Sequence, residues 1–213
     1  LGDQTKSGAG TIGGELRLTK LSVGPMDNNA FVLAHGQHAL LIDAAADPDA
    51  LLARLQPYQP LAVVTTHRHP DHLQALAAVV AATGAPVYAG APDAAAITAA
   101  SGVPVHEVWT GDLLALGPVR LEVIGLVGHT PGSIAVAHAP ADGPARLFTG
   151  DSLFPGGVGK TWRAADFDSL IDEVSAQLFG RYDDDTVVHP GHGADTTLGA
   201  ERPYLDDWRA RRW

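Results

Sequence analysis

Apolar and polar positions alternate over residues 15–23 (ELRLTKLSV), the period of two expected of a half-buried strand. Residues 31–34 and 39–43 are short apolar runs on either side of a turn at 35–38, and they predict two more strands. Residues 48–55 change to helical spacing, with Asp47 placed as an N-cap before Pro48 at the first helical position. The run at 61–65 (LAVVT) predicts a buried strand, and alanine-rich 73–83 predicts a helix stopped by Gly84 and Pro86. A strand at 87–89 and a helix at 92–100 follow, then strands at 105–109, 119–126, 133–138 and 146–149. Residues 167–179 form the clearest amphipathic helix, with Asp166 as its cap candidate. A strand at 186–188 and a helix over 201–212 close the chain. Asp195 to Thr197 offer capping oxygens and Glu201 a first-turn carboxylate for that last entry. No residue pattern repeats and no linker divides the chain. The economical arrangement is α/β (α+β): two β-sheets with helices on their outer faces, in one domain over residues 1–213. Residues 1–14, polar and glycine-rich, read as a flexible leading segment.

Composition narrows the function. The net charge of −10 lacks the basic face that phosphate binding requires, so no nucleic-acid partner is expected, and an anionic membrane surface is disfavoured as well. No run of about 18 apolar residues predicts a membrane span. Residues 1–14 hold no apolar stretch of the signal type, which makes the cytoplasm the expected compartment. Cysteine is absent, which excludes thiolate chemistry and leaves His, Asp and Glu as the possible metal donors.

Those donors are concentrated in loops that follow predicted strands. His67-Arg68-His69-Pro70-Asp71-His72 carries three of the ten histidines in six residues. Two histidines two apart on extended backbone point the same way. A turn at Pro70 then brings Asp71 and His72 round, so that one loop can serve two adjacent metals. Gly128-His129-Thr130-Pro131-Gly132-Ser133, Thr149-Gly150-Asp151-Ser152 and His189-Pro190-Gly191-His192-Gly193 are the other donor loops, and Met26-Asp27-Asn28-Asn29 is a candidate wall. Imidazole and carboxylate donors without thiolate suit zinc, iron or manganese. Gly156-Gly157-Val158-Gly159-Lys160 lacks the spacing of a phosphate loop, and no GxSxG elbow is present. His35, His38, His106 and His138 read as structural or solvated, and His189 as packing near the site.

The ordered set HxHxDH, GHTPGS, TGD and PGHG resembles the metallo-β-lactamase superfamily of hydrolases over residues 18–205. Within it, the stretches GDSLFPGGVGKT (150–161) and HPGHGADTTLGAERPYL (189–205) are most similar to small bacterial type II glyoxalases. The resemblance implies an αββα sandwich and two divalent metal ions, zinc first among the candidates. It implies that His67, His69 and His129 hold the first ion, that Asp71, His72 and His192 hold the second, and that Asp151 bridges them. Asp71 would also orient the nucleophile, a metal-bridging hydroxide. Lys160 matches a lysine that contacts the glutathione carboxylate, and Trp162 stands where larger enzymes have a tyrosine. The implied reaction is hydrolysis of an S-2-hydroxyacylglutathione thioester, such as S-lactoylglutathione, to a hydroxy acid and a free thiol.

The larger enzymes of this type carry a further basic helical segment, whereas about eight residues follow Leu205 here, which leaves the thiol carrier open. A lactonase or another ester hydrolase would need the same site. A mono-iron persulfide dioxygenase would use His67, His69, His129 and Asp151. A metal-binding module without turnover is the reading from another class. A β-lactamase is disfavoured by the carboxylate at Asp151. The oligomeric state is not readable from the sequence.

Overall fold

A computed structural model of the chain describes residues 7–11 and 16–212. Seven strands lie side by side in chain order: β1 (Ser7–Thr11), β2 (Arg17–Val23), β3 (Asn28–His35), β4 (His38–Ile42), β5 (Gln59–Thr65), β6 (Val87–Gly90) and β7 (Val105–Val108). Pairing is antiparallel from β1 to β4 and parallel from β4 to β7. Helices α1 (Pro48–Leu55), α2 (Leu76–Thr83) and α3 (Ala91–Ser101) make the crossovers that parallel pairing demands.

The second sheet is built from β8 (Leu113–Leu116), β9 (Val119–Gly125), β10 (Ile134–His138) and β11 (Arg146–Gly150), followed, after a small hairpin of β12 (Leu153–Phe154) and β13 (Gly157–Val158), by β14 (Val187–Pro190) and β15 (Thr196–Thr197). Its spatial order is β15-β14-β11-β10-β9-β8. Helix α4 (Ala164–Glu173) runs on as a π-helical segment over Val174–Phe179, and α5 (Leu198–Glu201) and α6 (Leu205–Arg211) close the fold.

Three apolar clusters make four layers. Phe31, Leu33, Leu40, Ile42 and Val64 of the first sheet pack with Leu121, Val123, Ile134, Val136 and Phe148 of the second. The alternate residues Val32, Leu41 and Val63 face the other way, onto Leu51, Leu76 and Ile97 of α1, α2 and α3. Ile124, Leu147 and Val188 likewise meet Phe167, Leu170, Leu178 and Trp208. Burial on both faces is why β3 to β5 read as continuous apolar runs. No helix among the described residues is long and apolar enough to cross a membrane.

Several local expectations change. Asp47 does not cap α1 with its side chain; it sits at φ 51°, and its carboxylate accepts from the Gly24 N–H at 2.9 Å. Asp166 lies inside α4, after the cap Arg163, and pairs with that arginine. The helix expected over 73–83 begins at Leu76, behind a 3₁₀ turn at Pro70–His72. The closing helix is broken by a 3₁₀ turn at Arg202–Tyr204, where Pro203 cannot donate. Thr197 caps α5 by accepting from the Ala200 N–H, whereas Glu201 turns away to take the Gly156 N–H and the Thr196 hydroxyl. Within residues 1–14, read as flexible, Ser7–Thr11 forms the edge strand, and the remainder lies outside the described residues.

Candidate metal centre

Loops after β2, β5, β9, β11 and β14 converge. The backbone ties them together: the Asn29 N–H donates to Gly191 O at 2.7 Å, the Gly191 N–H to Gly150 O at 2.8 Å, and the Ile134 N–H to Thr66 O at 2.9 Å. Gly191 is required by this closeness, since a Cβ there would stand 2.2 Å from Asp151 Oδ1.

All seven expected donors come together in three overlapping groups: His67, His69 and His129; His67, His72 and Asp151; and Asp71, His72 and His192. Within each group the donor atoms lie within 4.8 Å of one another. The His192 Nε2 is 3.2 Å from Asp71 Oδ2 and 3.5 Å from Asp151 Oδ2. The His72 Nε2 is 3.5 Å from Asp71 Oδ2 and 3.4 Å from Asp151 Oδ1, and His129 Nε2 is 3.6 Å from Asp151 Oδ2. Two donors each about 2.1 Å from a tetrahedral ion would stand about 3.4 Å apart, so this spacing suits a shared ion. The Nε2 atoms of His67 and His129 and the Oδ1 of Asp151 are buried without a hydrogen-bond partner. Buried polar atoms are rarely left so, and an ion would satisfy all three. The residues therefore fit divalent metal ions.

The far ring nitrogens are held from behind. His72 Nδ1 lies 2.9 Å from Asp43 Oδ2, His129 Nδ1 2.8 Å from Lys160 O, His192 Nδ1 2.9 Å from Met26 O and His67 Nδ1 3.0 Å from Thr66 Oγ1. This leaves Nε2 of each ring for the centre, the usual way a ligating imidazole is oriented. Asp43, at φ 57°, also accepts from the Thr66 N–H at 2.7 Å and the Thr66 hydroxyl at 2.8 Å. One buried carboxylate thus fixes both ends of the first donor loop. Asn28 Nδ2 donates to Asp71 Oδ2 at 2.9 Å. Asp43 is not conspicuous in the sequence. An acid directly after the apolar run at β4 was its only signal.

Electrostatics divide the site. Burial pushes His67 well below the ordinary histidine range, and the neighbouring His72 adds to it. Burial also lowers His69 and His129. These three are neutral donors near pH 7. Burial opposes protonation of His72 too, but Asp43 and Asp151 outweigh it and push that ring up to about 10. His192 is raised in the same way, mainly by Asp151 against burial. Burial would raise Asp151, yet the His192 and His72 rings beside it hold it well below the usual carboxylate range. Binding an ion at His72 and His192 would therefore release protons.

Of the two expected substrate contacts, Trp162 is 61% exposed with its ring 5.5 Å from that of His69. It helps line an open cavity of about 440 Å³ with Arg68, His69 and His129. Lys160 touches the site through its backbone, at His129, while its Nζ sits 5.8 Å above the Trp162 ring. His189 is not among the donors; it stacks on Phe148 at 4.9 Å, and its Nδ1 lies 2.9 Å from Asp195 Oδ2.

The sequence profile of the metallo-beta-lactamase superfamily matches residues 23–192. The chain belongs to that superfamily, and its fold is the one that the superfamily shares. A hydroxyacylglutathione hydrolase of Anaeromyxobacter dehalogenans is 36% identical over 78% of this chain and 61% of its own length. One from Fuscovulum blasticum is 39% identical over 78% of this chain and 62% of its own. The chain thus spans about three fifths of the length of these relatives. An uncharacterized protein of Mycobacterium tuberculosis is 30% identical over 89% of this chain and 97% of its own. Among solved structures, TTHA1623 in a di-iron-bound form superposes with TM-score 0.69 at 34% identity, covering 86% of this chain and 96% of that one. BLEG-1, a B3 metallo-beta-lactamase, superposes with TM-score 0.75 at 28% identity, covering 88% and 99%. ETHE1 from Myxococcus xanthus does so with TM-score 0.73 at 27% identity, covering 88% and 82%.

Proposed function

We propose that the protein is a binuclear metal-dependent hydrolase of a thioester of the S-2-hydroxyacylglutathione type, releasing a hydroxy acid and a free thiol. The observation that carries this reading is the pair of donor trios with Asp151 between them. His67, His69 and His129 would hold one ion, Asp71, His72 and His192 the other, and Asp151 would serve both. The names of the relatives at 36% and 39% identity support the thioester as substrate. The donors suit zinc, and the di-iron relative makes iron the second ion to test.

Two bound ions would polarise the thioester carbonyl and make a water reactive near neutral pH. Asp71, steadied by Asn28, presents Oδ2 beside both His192 and His72, where it would orient that water and take its proton. The water oxygen would then bond to the thioester carbonyl carbon, the C–S bond would break as the carbonyl re-forms, and the sulfur would leave as a thiolate that solvent protonates. The open cavity beside His69 and His129, with Trp162 as an apolar wall, would receive one arm of the substrate.

The test is the hydrolysis rate of S-D-lactoylglutathione, with metal content determined on the same sample. Turnover in the ordinary enzyme range of about 1–10³ s⁻¹ is expected, with about two ions per chain. No turnover at full loading removes this substrate. A lactone and, because of the likeness to BLEG-1, a β-lactam belong in the same panel.

A further inference from the structure

Asp93 lies in the first turn of α3 and is 0% exposed. An acid in a first helical turn can bond back to the N–H groups of its own helix, but the hydrogen bonds of this one go to two neighbouring loops. Its carboxylate turns outward and holds two donor loops at once. Oδ2 accepts from the Arg68 N–H at 3.1 Å and from the Thr130 hydroxyl at 2.6 Å, and Oδ1 accepts from the Gly132 N–H at 3.0 Å. The Arg68 Nε stands 3.6 Å from Oδ1 and balances the buried charge. Arg68 is the residue between His67 and His69, and Thr130 follows His129. The contact is close enough to require glycine opposite, since a Cβ on Gly132 would lie 2.4 Å from the Asp93 backbone N. Ser133 completes the clamp, its Oγ 2.6 Å from Thr130 Oγ1 and accepting from the Thr130 N–H at 3.1 Å.

We infer that Asp93 is a positioning residue for the His67, His69 and His129 trio: by clamping the two loops that carry these rings, it sets their separation and hence the metal affinity of that trio alone. The inference rests on the two-metal reading above. Asp93 touches neither donor ring nor the trio of Asp71, His72 and His192, which is held instead through Asp43, Asn28 and Met26. A carboxylate can satisfy donors at both oxygens, whereas an amide keeps one acceptor and turns an N–H₂ toward a donor at the other. Asp93→Asn therefore opens the clamp without emptying the space.

The experiment is metal titration of the full chain against a chromophoric chelator, with zinc as the probe, for wild type, Asp93→Asn and Thr130→Val. Asp93→Asn is expected to weaken one of the two sites by about 10–100-fold and leave the other unchanged. Thr130→Val, which removes one donor and keeps the charge, should weaken the same site by less, and it carries the test if Asp93→Asn fails to fold. Adding His69→Ala to either variant should cause no further change in the weakened site's partner, whereas adding His192→Ala should compromise both sites. Variants with wild-type affinity at both sites, or with equal weakening of both, overturn the role of Asp93. Wild-type protein that binds fewer than two ions overturns the two-metal reading itself.

Discussion

At the residue scale, the donors depend on what stands behind them. Asp43 accepts from two groups of Thr66 and faces His72 Nδ1, all three residues buried. Asp43→Ala leaves those partners unsatisfied in the interior, and a loss of about 3–5 kcal/mol is expected in chemical denaturation of the metal-depleted protein. A change under about 1 kcal/mol would mean that the loop re-satisfies itself. Asp71→Ala is a different case, because the Asp71 side chain is partly exposed and its supporting partner is the Asn28 amide. That variant should keep the wild-type melting curve when metal-depleted, lose occupancy at one site and lose turnover. Unchanged rates at full loading would remove Asp71 from the mechanism. The donors were legible in the sequence because histidine is scarce and clusters. Asp43 and Asp93 were not, since a single acid looks the same in sequence whether it faces solvent or a buried N–H, and Asn28 was visible only as part of a candidate wall.

At the element scale, the loop after β14 hangs on a latch that joins the sheets. Lys20 of β2 donates to Gly193 O and Asp195 Oδ1, both at 2.7 Å, and Asp195 in turn holds His189. Burial would raise the Asp195 carboxyl, but His189 and Lys20 outweigh it and hold it below the usual carboxylate range. A depressed folded value means that the latch stabilises the protein above about pH 3.9, the unfolded value. The contribution is lost as pH falls through the folded value. Wild type should therefore be more stable than Asp195→Asn at pH 7, and the gap should close toward pH 3 in denaturant titrations. A constant gap would assign the effect to packing.

Element boundaries show where sequence reading stops. Strands buried on both faces announced themselves as apolar runs. β8 did not, because this edge strand alternates exposed Leu113 and Ala115 with buried Leu114 and Leu116 and so resembles a loop with leucines. β12 and β13 are two residues each, too short for any period. The helix over 167–179 was visible by its apolar face, but that face does not distinguish α-helical from π-helical turns.

At the scale of the whole molecule, ions that bind the folded chain and not the unfolded one add to its stability. With free ion at about 100 times its Kd, one site contributes about 2.7 kcal/mol. Chelation should thus lower the melting temperature, and restored zinc should recover it in a concentration-dependent way. A melting curve indifferent to chelator would mean that the donors hold no ion under those conditions.

The donors are spread along the chain from His67 to His192, on loops that follow strands of both sheets. The consequence concerns the order of events in folding. A centre assembled from such distant segments exists only after the two sheets have docked, which is the slow, non-local part of the process. An ion would then be taken up last, by a finished cavity. Zinc added to refolding protein should leave the refolding rate unchanged and slow only unfolding.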